Sequence, residues 1–183
     1  MSKKYIFPII LILVFIVAGY FIVRQKQEVN EQNPPPASAT QNINKSEGNQ
    51  ISQPKFRGEE GEATDLIDGR VSIIADVFND NLARYYHTKL PNGKTIYFFV
   101  VKDKAGIYRA AANACQVCFD ARMGFRQESD FMICNTCGNK YPLVKIATEK
   151  GGCNPGPINP NLEVENDQII IQQSDLEKVA DLF

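Results

Sequence analysis

The sequence predicts a small, mainly β protein: antiparallel strands carrying cysteine-bearing metal-binding loops, an apolar helix ahead of them and a short helix after them. Three observations carry this expectation. From Arg57 onward, β-branched and aromatic residues recur in short runs separated by polar breakers. All five cysteines fall between residues 115 and 153. The N-terminal segment MSKKYIFPIILILVFIVAGYFIVRQK contains a run without charge, from Ile6 to Val23.

At about 1.5 Å rise per residue that run approaches the thickness of a bilayer core. Pro8 stands near its start, where a helix tolerates proline best. A cleaved signal peptide and a retained anchor both fit, and Val17-Ala18-Gly19 offers small residues near a cleavage point. The run continues through Tyr20, Phe21, Ile22 and Val23, longer than a signal core, which favours a single-pass anchor over residues 1–26 with 6–23 in the lipid bilayer. No cysteine follows the run, which excludes a lipoprotein anchor. Lys3 and Lys4 on one side nearly balance Arg24 and Lys26 on the other. A single N-terminal anchor before a long hydrophilic domain is expected to leave that domain on the extracytoplasmic side of the cell membrane. No twin arginine precedes the run, so export is expected to be of unfolded chain.

Residues 27–56 are rich in Asn, Gln, Ser and Pro, with a short polyproline stretch at Pro34–Pro36. With so little apolar surface to offset ordering entropy, they read as a flexible polar linker. The folded domain is expected over 57–183. VSIIADVF (71–78) and LARYYHTKL (82–90) read as strands, and Pro91-Asn92-Gly93 turns the second into TIYFFVVK (95–102). Asp103–Gly106 then turns the chain into IYRAAANAC. GFRQE and FMIC pair across Ser129-Asp130, and LEVEN and QIIIQ across Asn166-Asp167. At the C-terminus, Ser174 and Glu177 have the spacing of a capping box, with Leu176, Val179, Ala180 and Leu182 as an apolar face.

A formal net charge of −1 offers no basic surface for nucleic acid. The single histidine, His87, sits in an aromatic-rich strand and reads as packing rather than ligation. The acidic run EEGEATD (59–65) reads as a solvated stretch before the first strand.

The chemistry lies in the cysteines. Their spacing is C-x2-C-x15-C-x2-C-x15-C: Cys115 and Cys118, Cys134 and Cys137, then Cys153. Each pair puts two sulfurs on one tight turn, and two such pairs complete a tetrahedral thiolate shell. Gly138, after the second pair, allows positive φ and lets backbone N–H groups turn toward sulfur. Spacing alone does not choose between zinc, a single iron and an iron–sulfur cluster. Disulfides are the competing use of cysteine in an exported domain. Cys153, in the tight turn GGCNPGP, is a further candidate ligand, a cap over the site, or a free thiol.

The stretch FFVVKDKAGIYRAAANACQVCFDARMGFRQESDFMICNTCGNKYP, with the later GGCNP turn, resembles the membrane iron–sulfur proteins called FtrD-like, named after a component of a bacterial iron-uptake system. The likeness covers about residues 70 to 160 and includes both C-x2-C pairs, the Gly124–Gln127 segment, Cys137-Gly138-Asn139 and the Gly151–Pro155 turn. It implies an iron–sulfur cluster on Cys115, Cys118, Cys134 and Cys137, electron transfer without catalysis, and membrane partners such as a permease or redox component of iron uptake. The layout is also similar to that of Rieske domains, where each ligand pair is one Cys and one His. Here Cys118 and Cys137 stand where histidines would, which excludes a Rieske centre as such and implies a lower potential. The missing twin arginine leaves three routes open: a cluster acquired outside, a reversed topology, or a single zinc or iron ion loaded after export. Two rivals complete the set: a zinc-stabilised extracytoplasmic binding module, and a thiol–disulfide oxidoreductase, although neither pair precedes a βαβ helix that would lower a thiol pKa.

Overall fold

The structure is a computed structural model that describes residues 55–183; the expected anchor over 1–26, and the linker except its last two residues, lie outside the described residues. Among the described residues no helix is long and apolar enough to cross a membrane.

Among the described residues, eleven strands and one short helix follow in order: β1 (Glu62–Ala63), β2 (Arg70–Ile74), β3 (Arg84–Lys89), β4 (Thr95–Lys102), β5 (Tyr108–Cys115), β6 (Phe125–Glu128), β7 (Phe131–Cys134), β8 (Lys140–Pro142), β9 (Pro155–Asn159), β10 (Glu163–Glu165), β11 (Gln168–Gln172) and α1 (Gln173–Glu177). They form a five-stranded sheet β1-β3-β4-β5-β9 and two three-stranded sheets, β10-β11-β2 and β6-β7-β8. Every pairing is antiparallel except β1 with β3.

The predicted turns close as expected. Leu90 N–H donates to the Lys94 carbonyl (2.8 Å) and Gly93 N–H to that of Leu90 (2.9 Å), with Gly93 at φ +87°. At the β4–β5 turn, the buried Asp103 carboxylate accepts from the N–H groups of Ala105 (2.9 Å) and Ile107 (3.0 Å). Its other oxygen takes the Arg109 guanidinium at 2.9 and 3.0 Å, and Arg109 reaches on to the Pro160 carbonyl (2.6 Å).

Three local expectations need correction. VSIIADVF is only partly strand: β2 stops at Ile74, and Ala75–Phe78 forms a 3-10 turn that buries Ala75 and Phe78. The acidic run does not precede the first strand but contains it, because Glu62–Ala63 pairs with β3. The capping box does not form. The N-cap of α1 is Gln172, without a side-chain cap, and Glu177 instead accepts from the Gln173 amide (2.7 Å). The helix is a single turn, continued by a 3-10 turn over Ala180–Leu182 that tucks Phe183 into the core.

The central sheet buries both faces. Alternation along β4 sends Ile96, Phe98 and Val100 to one face and Phe99 and Val101 to the other. β5 answers with alanines, Ala112 opposite Phe98 and Ala111 opposite Phe99, so large side chains pack over small ones. The first face packs against Val71, Ile73, Ile169, Ile171 and Leu176, and Phe56 joins it by stacking on Tyr97 with centroids 4.1 Å apart. The second face packs against Phe125, Met132, Leu143 and Ile146. Cys115 and Cys134 are buried within this second cluster. Beyond β5 lies β9, whose register slips where Pro155 and Pro157 have no N–H to give the ladder.

Candidate metal centre

Three loops meet beside the second face. The first leaves β5 at Cys115, passes Cys118 and a 3-10 turn over Phe119–Ala121, and reaches β6 through Arg122 (φ +57°) and Gly124 (φ +62°). The second joins β7 to β8 through Cys134 and Cys137, and the third carries Cys153 into β9.

Polar side chains fix the loops to one another. Asn113, fully buried among the alanines of β5, accepts from Phe125 N–H (2.7 Å) and donates to the Glu59 carbonyl (2.8 Å). Gly124 lies so close beneath it that a Cβ there would stand 2.5 Å from Asn113 Oδ1. Asn135 bonds the first loop twice, its N–H to the Gly124 carbonyl (3.0 Å) and its amide to that of Met123 (2.9 Å). Gln116 N–H donates to the Asn154 carbonyl (2.9 Å), and the Gln116 side-chain oxygen accepts from Gly151 N–H (3.1 Å), holding the third loop to the first.

The result is one group of thiols. The Sγ atoms of Cys115, Cys118 and Cys153 all lie within 4.8 Å of one another, and so do those of Cys118, Cys134 and Cys137. Cys118 belongs to both triads. The structure therefore brings all four paired cysteines together and adds Cys153, whose place spacing had left open. All five are free thiols, Cys115 and Cys134 buried, Cys118 and Cys153 half-buried, Cys137 exposed. His87 stands apart, its ring 5.7 Å from Tyr97 and its Nδ1 3.2 Å from the Glu60 carbonyl.

Backbone N–H groups point at the sulfurs, as the glycine at 138 had suggested. Cys118 N–H faces the Cys115 sulfur at 3.5 Å. The Asn139 N–H holds the Cys137 thiol below its ordinary pKa. Cys134 receives N–H groups from Cys137 and Thr136, yet burial outweighs them and raises it. Burial, followed by the neighbouring thiols of Cys115 and Cys137, pushes Cys118 up to about 12. Cys153 is raised by burial and then by Cys115 and Cys137. Thiols packed this closely resist ionising together in the absence of a cation, and a bound metal reverses that.

Which groups fit this donor set can be tested on the surrounding side chains. Soft thiolates suit zinc, iron and iron–sulfur clusters alike. Around one tetrahedral ion, thiolate sulfurs stand about 3.8 Å apart for a metal–sulfur bond of about 2.3 Å, which either triad can match. The unsatisfied donors say more. Among the described residues, four buried side-chain polar atoms have no partner: Thr88 Oγ1, Gln116 Nε2, Arg122 Nε and the Tyr141 hydroxyl. The last three sit on or beside the cysteine loops, and Arg122 lines a narrow cleft with Cys115, Cys118 and Cys134. An orphaned buried donor is costly, and the Tyr141 hydroxyl, packed in the cluster that holds the cysteines, fits a bound group that brings extra acceptors. A sulfide-containing cluster does so.

The arrangement defines a β domain with a loop-borne group of thiols that could hold a metal ion. A family model described as membrane iron-sulfur containing protein FtrD-like matches residues 78–183, and the chain belongs to that family. The match extends past the stretch that carries the sequence likeness, taking in β10, β11 and α1. Comparison with curated proteins finds no match, and neither does comparison with solved structures.

Asn113, Asn135, Gln116, Arg122 and Tyr141 were missed as site residues by sequence reasoning. A faint signal existed for Asn113, the one polar residue within a run of alanines ending in a cysteine. The others carry no signature outside the assembled fold.

Proposed function

We propose that this protein is a membrane-tethered, non-catalytic electron carrier in which Cys115, Cys118, Cys134 and Cys137 hold an iron–sulfur cluster. The observation that carries this reading is the convergence of the thiols, with the unpartnered Tyr141 hydroxyl packed in the same cluster. A bound cluster supplies one-electron transfer, with no bond made or broken in the protein. The chain's own part is positional. Cys115, ending β5 of the central sheet, and Cys134, ending β7 of a smaller one, would fix the centre between the two, and the exposed Cys137 would mark the side from which an electron enters or leaves. Residues 6–23 would tether the domain to the extracytoplasmic face of the cell membrane. The family likeness supports partners such as a permease or redox component of a metal-uptake system, with iron as the metal.

The test is a redox titration of the full-length protein, extracted from membranes in detergent and handled without oxygen. Visible absorption that bleaches on dithionite addition and returns on reoxidation supports the reading. A colourless protein contradicts it.

The closeness of each thiol triad favours a second reading, a single zinc or iron ion that holds the loops of a binding module. The exposed Cys137, with its lowered pKa, is the one feature a thiol–disulfide oxidoreductase would share, and its pair partner speaks against that use. The first cysteine of each pair is buried and ends a strand, where a reactive thiol needs exposure and a helix N-terminus.

A further inference from the structure

Tyr141 lies four residues after Cys137, on β8. Its neighbour across the ladder is Met132, which places it on the face of the β7–β8 hairpin that also presents Cys134. The ring packs edge-on to Phe125, centroids 5.9 Å apart, in the cluster that contains Cys115, Cys118, Cys134 and Cys153. Its hydroxyl is buried and unpartnered. Asn139 approaches the phenol without meeting hydrogen-bond geometry. A phenol keeps its proton at physiological pH, so the hydroxyl is an O–H donor there. A buried tyrosine hydroxyl almost always finds an acceptor, and the nearby groups rich in unused lone pairs are the sulfurs.

We infer that Tyr141 is a tuning residue whose hydroxyl donates a hydrogen bond to a sulfur of the bound metal centre, setting its electronic properties. The inference deepens the electron-carrier reading and rests on it for its redox consequence. A hydrogen bond to sulfur stabilises the more negative, reduced form more than the oxidised one and so raises the reduction potential. The same bond lowers the energy of thiolate electrons in any metal-loaded form.

Tyr141→Phe removes the oxygen and keeps the ring. In full-length protein purified without oxygen, the variant is expected to keep its iron and sulfide content and to titrate at a lower potential than wild type. An unchanged potential at full cluster content overturns the inference. Two further readouts do not require an iron–sulfur cluster. Loaded with Co2+ in place of the native metal, the variant is expected to show its thiolate-to-cobalt band at lower energy, and an unmoved band counts against the hydrogen bond. Without metal, Tyr141→Phe is expected to melt no lower than wild type, because it deletes only an unpaired group. A lower melting temperature of the metal-free variant would assign the hydroxyl to a protein partner such as Asn139 and overturn the inference. Wild-type protein lacking iron and sulfide would end the electron-carrier reading, while the cobalt band would still decide the role of Tyr141.

Discussion

The Cys153 sulfur lies within 4.8 Å of those of Cys115 and Cys118, close enough to share an ion with them, yet the two C-x2-C pairs already supply four thiolates. If the pairs are the ligands, Cys153→Ser keeps the metal, because the non-ligating Cys153 is a neutral thiol raised above its ordinary pKa by burial. Cys134→Ser, by contrast, opens the shell and loses the metal. Metal analysis of the two variants checks this, and equal losses would make Cys153 a ligand in place of one of the four. Gly124 gives a second prediction at the same scale. Its φ of +62° and the 2.5 Å approach of a Cβ to Asn113 Oδ1 leave no room for alanine. Gly124→Ala is expected to cost about 2 kcal/mol or more, from left-handed strain plus the disturbed Asn113 bond, read by urea unfolding.

At the scale of elements, β4 and β5 form the platform on which the first loop stands, and their turn is held by Asp103. That carboxylate is buried with Arg109 and two backbone N–H groups. Asp103→Ala leaves the guanidinium without its charge partner, and a loss of roughly 3–5 kcal/mol is expected in denaturant unfolding. Elements with local signals were legible in the sequence. The run 95–102 and the hairpins at Pro91–Gly93, Ser129-Asp130 and Asn166-Asp167 were readable from alternation and turn chemistry alone. The capping box failed for a physical reason. α1 follows β11 with no intervening loop, so strand geometry sets Gln172 as the N-cap before Ser174 can act. The short parallel partner β1 was hidden because its residues, Glu62 and Ala63, lack strand propensity and are held by β3 instead. For the site, spacing revealed the ligand types but not the loop-to-loop bonds of Asn113, Asn135 and Gln116, which exist only once distant segments meet.

Over the whole molecule, a thiol group assembled in advance has a consequence for metal affinity. Cys118 and Cys134 are raised above the ordinary thiol value, and binding requires thiolates. Protons must therefore leave when the ion enters, and apparent affinity is expected to climb as pH rises toward the raised thiol pKa values. A Co2+ titration at several pH values, with proton release measured, checks the direction. Affinity that falls with rising pH in that range would contradict it. The thiols are proposed to hold iron with inorganic sulfide, which the family and the unpartnered Tyr141 hydroxyl support. Iron and acid-labile sulfide content in full-length protein purified from membranes without oxygen decides this. Iron and sulfide in equal amounts, with at least two of each per chain, is the predicted result. One zinc or one iron per chain with no sulfide would contradict it.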